Sequence, residues 1–337
     1  MKKLSAIILL LAIPFAWISC DKDIQINDEY KDITIVYGLI NPNDSVSYLR
    51  IEKAFLSDGV ISQAAQIADS NLYNYKLDVS IKSDNETIRF DTMTIYNKEN
   101  KEDDIFYAPE MLVYYAVTKD LLNTEDEYSL KVKNPKTGEE ASATTKLING
   151  SRIPITYPRP GGKLDLSVDN DIEFESTKNA RIYQVTVRFN YAEEIVDHPE
   201  SRTYHYVDMV FQTQESQFLN GGEEMRSGFS DTQFFTNLEN NISPYDSDPD
   251  QLKVRYYGDC ETIVSIADET LYTYIEINKP SASLVIDRPE FTNLENAYGI
   301  FASRSSKSQT NAIHERTTTI LKDMESLNFA RSMFEFK

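Results

Sequence analysis

This 337-residue chain has only three histidines and two cysteines, and their spacing, with that of the acids, decides which chemistry is open to them. His314 and Glu315 begin like the zinc-protease motif HExxH, but Thr318 stands where the second histidine must be. Without two imidazoles one helical turn apart a metal lacks its minimal protein grip, so that reading fails. His198 and His205 lie seven residues apart across the loop from Pro199 to Arg202, with no third ligand indicated, and read as an exposed pair. Asp246, Asp248 and Asp250 have the alternating oxygen spacing that opens a calcium loop, yet Gln251 replaces the glycine of position six and Tyr257 the glutamate of position twelve. An EF-hand is excluded. A looser calcium site at Asp246, Asp248 and Asp250 stays open beside the alternative of a solvated acidic turn.

The two cysteines read differently. Cys260 has no partner motif and is expected as a small buried hydrophobe rather than a nucleophile. Cys20 follows Lys2 and Lys3, an apolar run from Leu4 to Ile18 interrupted by Ser5 and Pro14, and the small residue Ser19. Such zones mark a secretory signal over residues 1–19; the run is too short to span a bilayer comfortably, and Pro14 weakens it as a helix. A cysteine in this place is where a lipoprotein signal peptidase expects to leave a diacylglycerol thioether. Trp17 and Ile18 depart from the usual residues there, and a plain secretory signal with an incidental cysteine is the alternative; it exports the chain as well. Cys20 is thus the expected lipidation site, with residues 20–32 as a polar tether. With Cys20 modified no intramolecular disulfide can form, and stability has to come from packing.

Removal of residues 1–19 takes away Lys2 and Lys3 and no acid, so the formal charge moves from −20 to −22, with 32 basic groups against 54 acidic. Nucleic acid is excluded as a partner on that balance, and anionic headgroups should be repelled by the body as a whole. No GxSxG elbow, Walker loop or glycine-rich dinucleotide fingerprint occurs, and no cofactor is indicated. Paired carboxylates for sugar hydrolysis stay open, because such pairs meet in space and not in sequence. The single tryptophan, Trp17, leaves with the signal, so flat platforms for a sugar would have to come from tyrosines such as Tyr114 with Tyr115 or Tyr256 with Tyr257. Neighbours on a strand point to opposite faces, and one ring of each pair is expected inside.

Period-two alternation rich in Tyr, Val, Ile, Thr and Phe runs through most of the chain, which is strand chemistry. Ile33–Leu39 and Ser45–Phe55 flank an Asn-Pro-Asn-Asp turn and suggest a hairpin; Leu77–Ser83 and Glu86–Tyr96 flank Asp84 and Asn85 and suggest another. About seven strands fit between residues 33 and 149, enough for an immunoglobulin-like sandwich. Residues 150–163 carry Pro154, Pro158, Pro160, Gly161 and Gly162 and are the expected linker. Residues 164–337 read as a second mainly-β domain, with a long loop over 218–250 that carries one short helix near Asp231–Glu239. A helix capped by Asp268, a late strand near Phe301 and a terminal helix over Glu315–Leu327 follow. The expected fold is mainly β: two β-sandwich-like domains, the first immunoglobulin-like, and a few short helices in the C-terminal half. The hexamer FTNLEN occurs at Phe235–Asn240 and again at Phe291–Asn296, with unlike flanks, and is read as a reused local turn.

The stretch from Ile35 to Pro42, the run SYLRIEKAF over Ser47–Phe55, the alternation Tyr128, Leu130, Val132 before Gly138, and Phe291–Phe301 resemble an uncharacterised family of Bacteroidetes surface lipoproteins. Ala297 departs from the glycine expected in that pattern. The resemblance implies a two-domain, mainly β protein with an immunoglobulin-like first half and no assigned activity. It implies an outer-membrane lipoprotein, exposed on the cell surface or facing the periplasm, that accompanies a TonB-dependent transport system. A non-enzymatic binding or accessory role follows, with a transporter or an extracellular ligand as partner and the N-terminal lipid as membrane contact. A structural or adhesive, fimbrial-type role and, third, a hydrolase are the alternatives. The same bacteria O-glycosylate Asp-Ser/Thr-apolar tripeptides, which Asp44-Ser45-Val46 and Asp91-Thr92-Met93 resemble, so Ser45 and Thr92 are candidate glycosylation sites.

Overall fold

A computed structural model describes residues 33–54, 71–96, 110–243, 253–279 and 290–332. The expected signal over 1–19, Cys20, the expected tether over 20–32 and the Asp246, Asp248, Asp250 group lie outside the described residues. The protein is mainly β, with three α-helices among the described residues, all in the C-terminal half.

β1 (Ile33–Ile40) and β2 (Val46–Ala54) form the first hairpin. Its turn closes through Asp44 N donating to Asn41 O at 3.1 Å, and Asn41 Nδ2 donates to Asp44 Oδ1 at 2.7 Å. β3 (Asp78–Lys82) and β4 (Thr87–Arg89) form the second, around Asp84 and Asn85. The stretch 86–96 is not one strand, however. It changes sheet at Phe90, so that β5 (Asp91–Tyr96) pairs instead with β6 (Glu110–Val117). β7 (Glu127–Lys133) and β8 (Glu140–Lys146) complete the set. Sheet β1-β2-β6-β5 faces sheet β4-β3-β7-β8, and the alternation places Val36, Leu49, Tyr114, Tyr128 and Leu130 between them. Each such side chain contributes about 1.5–3 kcal/mol by leaving water.

The second half has β9 (Ile155–Tyr157), β10 (Lys163–Leu164), β11 (Asn170–Glu175), β12 (Ala180–Ile195), β13 (His198–Val210), β14 (Gln214–Glu215) and β15 (Glu224–Phe229). These are followed by α1 (Asp231–Asn241), β16 (Lys253–Asp268), α2 (Glu269–Asn278), β17 (Tyr298–Ile313), α3 (Glu315–Asp323) and β18 (Phe329–Ser332). The long strands β13-β12-β16-β17 form one wall and β15-β11-β9 the other. Phe174, Tyr183, Val187, Phe189, Phe234 and Phe329 fill the space between. Local sequence starts the helices: Ser230 and Gln233 form a capping box on α1, and Asp268 Oδ1 accepts from Leu271 N at 2.8 Å at the head of α2. The terminal helix stops at Asp323, and residues beyond it enter β18 against β16.

β17 belongs to both sandwiches. Tyr298–Ser303 add to β1 in parallel, and Arg304–Asn311 pair antiparallel with β16, so one continuous sheet runs from β13 to β5. Gly299 permits the close parallel approach: its φ is +103°, and a Cβ there would sit 2.0 Å from Val36 O. The segment 150–163 is likewise built in. Ile153 and Ile155 are buried in the second core, and β9 pairs with β11.

The repeated hexamer takes two conformations. Phe235–Asn240 lies within α1, whereas Phe291–Asn296 is non-helical. In the second copy Asn293 Oδ1 accepts from Phe301 N at 2.9 Å and its Nδ2 donates to Phe301 O at 2.7 Å. Tertiary context overrides local preference at this length. The left-handed residue of this turn is Asn296, φ +57°, directly before Ala297.

Candidate functional site

β13 ends at Val210, and Phe211 N donates to Val185 O at 2.9 Å as the chain turns away. β14 then returns to β12, and Gln214 Nε2 reaches across to β15, donating to Arg226 O and to Ser227 Oγ, the latter at 2.6 Å. Immediately after β15 the capping box fixes α1: Gln233 N donates to Ser230 Oγ at 3.2 Å and Ser230 N to Gln233 Oε1 at 3.0 Å. One turn further, Asn237 Nδ2 donates to Asp208 O at 3.2 Å.

These contacts hold three walls around a cleft of about 540 Å³. Gln212, Thr213, Gln214, Ser227, Gln233 and Asn237 line it, above a floor that includes Met209 and half-buried Phe211. No lining residue ionises, although 26% of the chain is Asp, Glu, Lys or Arg, which sets the cleft apart from the surface around it. Carboxamides and hydroxyls each offer donors and acceptors. Gln212 and Thr213 are exposed and make no side-chain hydrogen bond to another described residue. The cleft therefore suits a neutral polar ligand and offers no group for proton transfer. A second hollow of about 320 Å³ lies between α2 and strands β12, β16 and β17, with an aliphatic floor from Ile182, Ile263 and Leu271.

Residues singled out in the sequence take other places. His314 is the N-cap of α3: its Nδ1 accepts from Arg316 N at 3.3 Å and lies 3.5 Å from Asp165 Oδ2, while Thr318 N donates to His314 O. Burial acts to raise the Asp165 carboxyl, but the Ser167 hydroxyl and N–H and the Thr317 hydroxyl outweigh it and hold it below the ordinary range. His205 stacks on Tyr191 with centroids 5.2 Å apart, and His198 meets Glu200 at 3.0 Å; the two histidines are separated by about 23 Å of strand. Cys260 is fully buried within the second core, and burial, then the Asp259 charge, pushes its thiol up, away from the reactive thiolate. Among the described residues no group of three or more His, Cys, Asp and Glu is placed to hold a metal ion.

Ser45 is exposed in the β1–β2 turn, and its carbonyl accepts from Thr118 N at 3.0 Å. Thr92 is half-buried within β5, opposite Tyr114. Of the tyrosine pairs, Tyr114 is buried and Tyr115 half-buried, whereas Tyr256 and Tyr257 are both buried. Tyr257 enters the second core, and the Arg202 guanidinium covers the Tyr256 ring at 4.8 Å. Composition gives no sign of the neutral cleft, because its lining comes from three separate stretches, 209–214, 227–228 and 233–237, and none carries a recognisable motif. No protein-family model matches the chain, and no curated protein matches it.

Proposed function

We propose that this chain is a non-enzymatic, lipid-anchored envelope protein, held by a lipid on Cys20, whose β body binds a ligand or partner as an accessory of an outer-membrane transport system. The neutral polar cleft between β13, β15 and α1 carries the reading: it is built for hydrogen-bonded recognition and lacks an ionisable group. The N-terminal signal and the resemblance to Bacteroidetes surface lipoproteins supply the location. Gentle purification from detergent-solubilised envelopes tests the reading. A transporter or other envelope protein should accompany the chain, and recovery of the chain alone would count against it.

The adhesive alternative is favoured by β13, which is the edge of the long sheet among the described strands and exposes Tyr204 at 73% and Tyr206 at 58%. An open edge is a template for strand addition. Polymers that survive dilution would select that reading.

A further inference from the structure

A formal charge of −20 is an average, and one face of the first sandwich departs from it. On the outer side of sheet β4-β3-β7-β8, Ser80 pairs with Arg89 on one neighbour and with Lys131 on the other. Directly paired residues share a face, so two long cations flank one small hydroxyl. The result is a hollow of about 390 Å³ to which Lys76 and Lys133 also contribute, with Asp78 as the one acid in its lining. Lys76 is paired with Asp91 at 2.5 Å, and Lys131 and Lys133 share Glu140 at 2.8 and 3.4 Å. Arg89 makes no ion pair with another described residue. Its planar fork suits two oxygens of a phosphate.

The tether ends at the same end of the sandwich. Thr34, next to the first described residue, lines a small cavity with Leu77 and Glu140, and Leu77 also borders the cationic hollow. Thirteen residues, 20–32, span at most about 45 Å. A body tethered so closely has a bilayer surface within reach, and screening over about 8 Å at physiological salt mutes the acids elsewhere on the body, which leaves Lys76, Arg89, Lys131 and Lys133 against Asp78, Asp91 and Glu140 at the contact.

We propose that this hollow docks the phosphate-bearing headgroups of an anionic lipid surface, with Arg89 and Lys131 gripping a phosphate above Ser80 and Lys76 and Lys133 beside it. Docking fixes which face of the anchored body looks at the membrane. The proposal rests on the anchored reading for the nearness of a bilayer, so its test uses the mature chain, residues 20–337, carrying Cys20→Ser and neither signal nor lipid.

That chain is sedimented with phosphatidylcholine vesicles, with and without phosphatidylglycerol. It should sediment with the mixed vesicles, less so as salt is raised, and the double variant Arg89→Ser, Lys131→Ser should lower partitioning on the order of tenfold. The charge reversal Lys131→Glu should do the same at an exposed position. Equal partitioning into both vesicle types, or no change in the variants, overturns the proposal. Capture of inorganic phosphate without vesicle binding assigns the hollow to a soluble anion and also overturns it. Neither failure touches acylation of Cys20, which is read separately by lipid labelling.

Discussion

Thr145 Oγ1 donates a 3.0 Å hydrogen bond to Asp268 Oδ2 across 123 positions of sequence, at the seam between the two sandwiches. The same oxygen accepts from Ser303 N at 2.8 Å, while Oδ1 caps α2. Ser303 in turn accepts through Oγ from Ile148 N at 3.0 Å. One buried carboxylate thus ties the end of β8, the head of α2 and the middle of β17. Burial pushes its carboxyl above the ordinary range, opposed by these donors.

The first prediction concerns that seam. Asp268→Ala leaves the buried donors of Thr145 and Ser303 and the half-buried Leu271 N–H without an acceptor and should cost about 2–4 kcal/mol. Because β17 runs through both sandwiches, the wild-type chain should unfold in a single calorimetric transition. Two resolved transitions would contradict the shared sheet.

Gly299 and Gly138 separate two kinds of glycine. Both have positive φ, but a Cβ at Gly138 meets nothing within 4 Å, whereas one at Gly299 collides with the Val36 backbone. Gly138→Ala should cost about 1 kcal/mol from backbone strain alone. Gly299→Ala should cost several times more and loosen the β1–β17 pair. Hydrogen exchange at β1 amides, compared between the two variants, checks the difference.

Arg255 is buried and donates to Glu193 Oε1 at 2.8 Å, Leu327 O at 2.9 Å and Ser243 O at 2.7 Å, joining β12 to two distant loops. Burial acts to raise the Glu193 carboxyl, but the hydrogen bond and charge of Arg255, with Lys253, outweigh it and hold it below the ordinary range. A depressed acid stabilises the fold above its unfolded value of about 4.3, and that contribution disappears as pH falls through the lower folded value. Arg255→Met should cost about 3–5 kcal/mol at neutral pH. It should also flatten this part of the acid limb, since half-buried Glu193 keeps chiefly Lys253, at 3.6 Å, to hold its carboxyl down. Denaturant midpoints between pH 7 and pH 3 measure both effects.

Cys260 should be inert in the native state. A thiol reagent should label it only at the rate of opening of the second core, and rapidly once denaturant exposes it. Fast native labelling would place the thiol outside that core.

What was legible in the sequence is what local chemistry determines. The Asn41–Asp44 turn, the Asp268 cap and the alternation Tyr128, Leu130, Val132 all act within a few residues, and the elements they imply are present. The sheet switch at Phe90 and the parallel β1–β17 pair depend on partners far away in sequence. β15 lay hidden in a stretch read as loop, because Gly221 and Gly222 beside it mark a turn, with φ of +79° and +82°, and not the end of order. The second half of β17, rich in Ser, Lys and Gln, lacks an apolar alternation and becomes a strand only because β16 offers it an edge. The neutral cleft was illegible for the same reason, since its polar lining is brought together by β13, β14, β15 and α1.

The anchor is the claim on which location and partners depend, and metabolic labelling with a palmitate analogue tests it most directly. The wild-type chain should carry the label and fractionate with the envelope membrane, and Cys20→Ala should lose the label and keep its signal unprocessed. An unlabelled wild-type chain, with the Cys20→Ala variant processed alike, would contradict the account.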